Sequence, residues 1–210
     1  MKRETSKTSS QRREKGNERR RQVLASTRVL LERRALEDIG LSDIAKETGI
    51  PVSSLYHFYP KILDVYAELI AVFSVELSAH LMRSLENVCP ETWQQLVDKG
   101  IDSCAEFYAI NPAYQQLILS GKAPAQVKSA DREGDARLAQ ALKVFMSNFF
   151  DMPRIPHLDN VFFNALEIVD LLLSLSVMQN GEITSSGIKE AKRACKSYLR
   201  TYLPEILYPV

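Results

Sequence analysis

An all-α fold, an N-terminal three-helix module followed by a larger helical body, is what this 210-residue sequence predicts. Three observations carry that prediction. Apolar residues recur every three or four positions from Asn17 almost to the end, the period of an amphipathic helix. Strict apolar/polar alternation is missing, and so is any Asn-Gly or Asp-Gly turn between β-branched runs, so strands find no support. Gly and Pro cut the periodic stretches into about nine helices. A 45% hydrophobic composition supplies a sizeable core and excludes a wholly disordered chain, while 8 Gly and 9 Pro exclude a collagen-like one.

Taken in order, residues 1–16 set Lys2, Arg3, Lys7, Arg12, Arg13 and Lys15 among Ser, Thr and Gln, and are read as a disordered basic arm. From Asn17 to Arg34, Val23, Thr27, Leu30 and Leu31 form one stripe, with Arg19, Arg20, Arg28 and Glu32 off it. Gly40 interrupts the chain; Leu41–Thr48 and Val52–Tyr59 are two short segments on either side of Gly49. Pro60 opens a long helix, from Ile62 through Leu85, that Cys89-Pro90 stops. Glu91-Thr92 opens the next, and Asn111-Pro112 another, with Asn as cap and Pro in the first turn. A longer helix begins at Pro124, polar at first and then apolar through Leu138, Leu142, Phe145, Met146 and Phe149. Pro153 and Pro156 make a rigid connection to His157–Asn180, a segment apolar on most of its circumference, and Gly181 separates it from a last helix over Thr184–Tyr202. The predicted division is a helix-turn-helix module over 17–65 and a helical body over 66–210.

Several function classes find no footing. Cys89, Cys104 and Cys195 are odd in number and widely spaced, which fits neither a disulfide framework nor a metal cluster and predicts reduced thiols in a cytoplasmic setting. No apolar core follows the basic N-terminus as in a secretory signal. The longest apolar stretch, around Leu166 to Met178, is broken by Glu167 and Asp170, so no run of about 20 apolar residues predicts a membrane span. His57, His80 and His157 are scattered; no nucleophile motif, Gly-rich phosphate loop or paired metal ligands appear, so no catalytic residue, cofactor or metal is expected.

Charge points the other way. Residues 1–60 hold 13 Lys+Arg against 8 Asp+Glu, while the chain as a whole is almost neutral at +1. A basic N-terminal segment on a mildly acidic body suits attraction to a polyanion. Within that segment, residues 41–60 read LSDIAKETGIPVSSLYHFYP. Ala45 is small where two helices cross, Gly49 sits where the turn needs positive φ, and Ile44, Ile50 and Leu55 share a core that Ile39 and Phe58 complete. Small, Gly and apolar at that spacing is the pattern of a DNA-binding helix-turn-helix. The outward residues of the second helix include no Asp or Glu, whose charge would oppose phosphate. Ser hydroxyls can read either base, and Val52 can touch a thymine methyl. The candidate DNA contacts are therefore Ser42, Pro51, Val52, Ser53, Ser54, Tyr56, His57 and Lys61.

The segment LSDIAKETGIPVSSLYHFYPKILDVYAEL resembles the DNA-binding domain of the tetracycline-repressor (TetR) family. The likeness covers about residues 17–70: the preceding amphipathic helix, the Ile-Ala and Gly-Ile pairs, Ser-Leu-Tyr, an aromatic pair, and Pro opening a long helix. There are departures: Gly40 stands where the family usually has Thr, Phe58 where it often has His, and Ile62 and Leu63 where it has Lys-Glu. The resemblance implies a homodimeric transcription regulator, usually a repressor. It would bind double-stranded DNA at a palindromic operator and release it when a small molecule enters the body. A helical effector-binding protein that no longer binds DNA is the alternative that the departures keep open.

Two further expectations concern the body. A helix apolar nearly all round must be buried on nearly all sides, so 157–180 and the last helix are read as a homodimer interface through Phe162, Leu166, Val169, Leu172, Leu173, Tyr198 and Tyr202. Trp93, Phe107, Tyr108, Tyr114, Phe145, Phe149 and Phe163 are candidates to line a pocket for an apolar or aromatic small-molecule effector, although an aromatic at helical spacing is more often plain core.

Overall fold

A computed structural model describes the backbone of residues 2–210 and the side chains of residues 13–210. Among these residues there are nine α-helices and no strand. In chain order they are α1 (Lys2–Leu31), α2 (Leu41–Thr48), α3 (Val52–Phe58), α4 (Ile62–Leu85), α5 (Trp93–Ile110), α6 (Pro112–Leu119), α7 (Ala125–Ser147), α8 (Leu158–Asn180) and α9 (Ser185–Leu199). The chain divides into two compact units, Met1–Leu69 and Ile70–Val210, with the division inside α4.

In the first unit, the stripe expected on α1 is buried: Val23, Thr27, Leu30 and Leu31 are all under one-tenth exposed. Thr27 satisfies its hydroxyl inside the helix by donating to the Val23 carbonyl at 2.7 Å. α1 begins at Lys2 rather than Asn17. Residues 2–16 mix Lys, Arg, Gln and Glu, which favour a helix, with Thr5, Ser6, Thr8, Ser9 and Ser10, which do not, so the buried stripe over 23–31 is what nucleates the helix that runs outward from it. The side chains of residues 1–12, most of the expected basic arm, lie outside the described residues. A single 3₁₀ turn, Leu36–Asp38, links α1 to α2 and buries Leu36. Tyr66 of α4 holds that turn by donating its hydroxyl to the Leu36 carbonyl at 2.9 Å.

In the second unit, α8 packs against α6, α7 and α9, and α9 also packs on α5. By length and composition α8 is apolar enough to cross a membrane. Within this unit, however, it buries Val161, Phe162, Ala165, Val169 and Leu173 against its neighbours. The α8–α9 corner is close. Gly181 turns the chain at φ 80. The Ser176 hydroxyl donates to the Glu182 carbonyl at 3.1 Å and accepts from the Thr184 amide at 2.9 Å. A Cβ on Gly187 would lie 2.7 Å from the Ser176 Cβ, so only Gly permits this approach. Thr92 and Thr184 cap α5 and α9 through their hydroxyls. Asn111 behaves differently from the expected cap: its amide donates back to the Phe107 carbonyl at 2.8 Å, closing α5 instead. The C-terminal segment is pinned by an isolated bridge between Phe150 and Pro209 and by Trp93, whose indole donates to the Pro204 carbonyl at 3.0 Å.

Candidate functional site

The first candidate site is the α2–α3 pair. α2 starts at Gly40, which has no side chain to cap with. Asp43 compensates in part, taking the Gly40 amide at 2.9 Å and an ion pair from Arg34 at 3.0 Å. The Gly40 amide, then Arg34, hold the Asp43 carboxyl below the usual carboxylate range. α2 ends in Gly49 at φ 69, the left-handed position that the sequence assigns it. Thr48 helps the turn, accepting from the Ile50 amide at 3.2 Å, while Gln22 of α1 donates to the Thr48 carbonyl at 3.0 Å. These bonds satisfy helix-end groups that would otherwise need water.

α3 is fixed by one face. Leu55 is fully buried, as is Ile44 opposite, and Ile39 and Ile50 join them. Phe58 is half-buried, and the aromatic that seals the core is its neighbour Tyr59, 2% exposed. Tyr59 donates to the Glu68 carboxylate at 2.8 Å, under Arg20, whose guanidinium lies 5.9 Å from the ring. Burial and then the Glu68 charge push the Tyr59 hydroxyl well above its ordinary value, so it stays a donor. The other face is free. Pro51, Val52, Ser53, Tyr56 and His57 are exposed, as are Ser42 and Lys61; Ser54 is half-buried. The structure thus brings seven of the eight candidate DNA contacts to the surface of this unit, with no carboxylate along α3.

The second candidate site lies within the body. An apolar cavity of about 70 Å³, partly open to solvent, is lined by residues of α4, α5, α7, α8 and α9. Its walls are mainly aliphatic, among them Leu81, Leu96, Ile101, Leu142 and Leu166. Of the seven aromatics expected to line a pocket, only Phe145 does so. Trp93 is spent on the C-terminal segment. Phe107, Tyr108 and Tyr114 are buried in a ring cluster: Phe73 stacks on Tyr114 at 4.7 Å, and Tyr108 stacks on Tyr114 at 5.2 Å. Phe149 packs on Phe145 at 5.2 Å without reaching the cavity, and Phe163 is half-buried elsewhere on α8. Large flat rings stack efficiently on one another, and that packing removes them from the cavity wall. Cys104 and Cys195 line the cavity; burial raises both thiols, Cys195 to about 12, so they act as small hydrophobes.

The residues expected at a dimer interface divide. Phe162, Val169 and Leu173 are at most 5% exposed and Leu166 lines the cavity, so these four face their own chain. Leu172 and Tyr198 are half-buried and Tyr202 is exposed. The apolar residues that α8 leaves uncovered are Leu171, Leu175 and Met178, spaced by four and three on one side. An all-round apolar helix gives no phase to its sequence, so periodicity alone does not separate this outer set from the inner one. Among the described residues, one group of carboxylates converges closely enough to hold a metal ion: Asp131, Asp135 and Asp170.

Comparison with known proteins follows this geometry. The profile of the Tetracyclin repressor-like, C-terminal domain matches residues 91–203, more than half of the chain. No curated protein sequence matches. Among solved structures, a TetR-family transcriptional regulator from Streptomyces coelicolor superposes with a TM-score of 0.71 at 17% identity, over 88% of this chain and 99% of that one. A TetR transcriptional regulator from Rhodococcus sp. RHA1 gives 0.64 at 15%, over 89% and 100%. FadR of Thermus thermophilus, a transcriptional repressor solved with lauroyl-CoA, gives 0.60 at 13%, over 86% and 94%. With the nine-helix architecture and the matched body together, the chain belongs to the tetracycline-repressor-like family of transcriptional regulators.

Proposed function

We propose that the protein is a ligand-responsive, sequence-specific DNA-binding repressor that acts as a homodimer on a palindromic operator. The observation that carries the reading is α3. One residue, Leu55, anchors it with no exposed surface, while Pro51, Val52, Ser53, Tyr56 and His57 stand free of any acidic neighbour on the helix. Small residues at its start let the backbone approach a major groove, and Tyr56, His57 and Lys61 supply phosphate donors. Leu171, Leu175 and Met178 of α8, with Tyr198 and Tyr202, offer the pairing surface. The effector enters the aliphatic cavity, so an alkyl or acyl group is the matching chemistry; the lauroyl-CoA held by FadR is an acyl ligand in the same fold.

The test is a gel-shift with DNA from upstream of the protein's own gene, at several salt concentrations. The expected result is a saturable shift with inverted-repeat protection, lost on adding an acyl compound. Deleting residues 1–16 should flatten the dependence of log K on log salt, because the arm's cations release condensed counterions. No shift of any fragment at low salt would leave the alternative, an effector-binding protein without DNA binding.

A further inference from the structure

We propose, on the DNA-binding reading above, that Arg34 is a positioning residue for DNA recognition, its guanidinium fixing the start of α2 and with it the stance of Ser42 toward a backbone phosphate. Between Leu31, where α1 ends, and Leu41, where α2 begins, the chain must aim α2 without a capping side chain, because Gly40 stands at the cap. A Ser, Thr, Asp or Asn there would take an amide of the first turn with its own side chain. Here the Asp43 and Ile44 amides both go to the Gly40 carbonyl, at 3.0 and 3.3 Å. Among the described residues nothing accepts from the Ser42 amide, and Ser42 is exposed.

Arg34 supplies what Gly40 lacks. Its backbone is tied to α1, its amide donating to the Leu30 carbonyl at 2.9 Å. One arm of its guanidinium meets the Asp43 carboxylate at 3.0 Å, and another donates to the Asp38 carbonyl at the end of the 3₁₀ turn. The second oxygen of Asp43 takes the Gly40 amide at 2.9 Å. A continuous chain of bonds thus runs from the end of α1 through Arg34 and Asp43 to the residue before α2, while Tyr66 holds the same turn through Leu36. A planar guanidinium serves two acceptors at fixed angles; an ammonium is a point charge and does not reproduce that fork.

Charge gives Arg34 a second role. Asp43 adjoins Ser42, and an uncompensated carboxylate there would repel the phosphate that Ser42 is to meet. Arg34 cancels that charge at contact distance. The pair is partly solvated, with side chains 40% and 24% exposed, so its worth to folding is small. Positioning and stability therefore separate. Losing Arg34 misplaces and recharges the start of α2 while the melt stays close to the parent's.

The experiment compares the full-length parent with Arg34→Ala, Arg34→Lys and the double variant Arg34→Ala/Asp43→Asn, using the upstream DNA fragment of the gel-shift labelled for fluorescence anisotropy. Amide exchange of Gly40 in the free protein is read alongside, by nuclear magnetic resonance. The expected result for Arg34→Ala is binding about tenfold weaker, roughly the loss of one charge-assisted hydrogen bond, at an unchanged melting temperature. Its Gly40 amide exchanges faster, because Asp43 is no longer held. Arg34→Lys restores the charge but not the fork, and recovers only part of both readouts. The double variant removes the unpaired carboxylate, so it binds tighter than Arg34→Ala. If Arg34→Ala does not fold, Arg34→Lys still carries the comparison, with weaker binding expected at parental stability. Either parental affinity or parental Gly40 exchange in Arg34→Ala would overturn the proposal. So would affinity lost only in proportion to a lower melting temperature, the mark of a merely structural residue, or a double variant no tighter than Arg34→Ala. A parent that shifts no fragment overturns the DNA-binding reading itself, an outcome that none of the variants can mimic.

Discussion

The N-terminal unit and the helical body carry their candidate functions on opposite faces of their helices. In the first, α3 buries Leu55, half-buries Ser54 and Phe58, and displays the rest; its candidate chemistry is outward. In the second, the cavity and the carboxylate cluster are inward, and what lies outside is an apolar strip on α8. The difference teaches how much a sequence can say. An outward recognition face is selected residue by residue beside a local turn, whereas an inward site is assembled from four or five helices far apart in the chain.

The sharpest way to break that contrast is to swap the side on which damage is done. Leu55→Ala should cost roughly 2–5 kcal/mol of stability by leaving a hole under α3, read as an earlier urea transition. Tyr56→Ala, one residue on but 56% exposed, should leave the melt unchanged and weaken operator binding about tenfold, a loss of roughly 1.4 kcal/mol. If Tyr56→Ala unfolds the unit and Leu55→Ala does not, the assignment of faces is inverted.

In the body, Leu171→Glu puts a charge in the uncovered strip and should give monomers by sedimentation without loss of helical signal. An intact dimer would move the pairing surface elsewhere. Gly187→Ala forces a Cβ against Ser176 and should cost about 1–3 kcal/mol, the usual penalty of overpacking, seen as a lower melting temperature. The smallest effect is that of pH on the melting of the body. Asp131, Asp135 and Asp170 have folded values above their unfolded ones, so the unfolded chain loses those protons first. Their stabilisation is complete below the ordinary carboxylate value near 3.8 and fades as pH rises through the raised folded values. The melting temperature should therefore fall as pH rises above that range, and less steeply in Asp135→Asn.

The sequence makes the N-terminal unit legible because its constraints are short-range. Gly49 at positive φ, Leu55 and Ile44 in the core, and an acid-free α3 all follow from residues within twenty positions of one another. Even there, the spacing points to Phe58 for the core position that Tyr59 fills, since two adjacent aromatics give no clue as to which points inward. The body's helices were also visible, but their facing was not. Phe162, Val169 and Leu173 share the 3.6 period with Leu171, Leu175 and Met178 on a helix that is apolar on both sides. The aromatics were expected to line a pocket, but they satisfy each other. The carboxylate cluster is not legible in the sequence, because the start of α7 reads as a solvated polar face. The available signal was Asp170, an acid in the middle of the most apolar helix, opposite an acidic pair at i and i+4.

Trp93 offers the molecule a built-in optical gauge. It is the chain's single tryptophan, wholly enclosed, bonded to the carbonyl of Pro204, and followed within one turn by two cavity-lining residues, Leu96 and Val97. Its emission therefore reports two events with one chromophore, one by wavelength and the other by intensity. Release of the C-terminal segment wets the indole and reddens the spectrum, while a guest entering the cavity shifts intensity with the segment still docked.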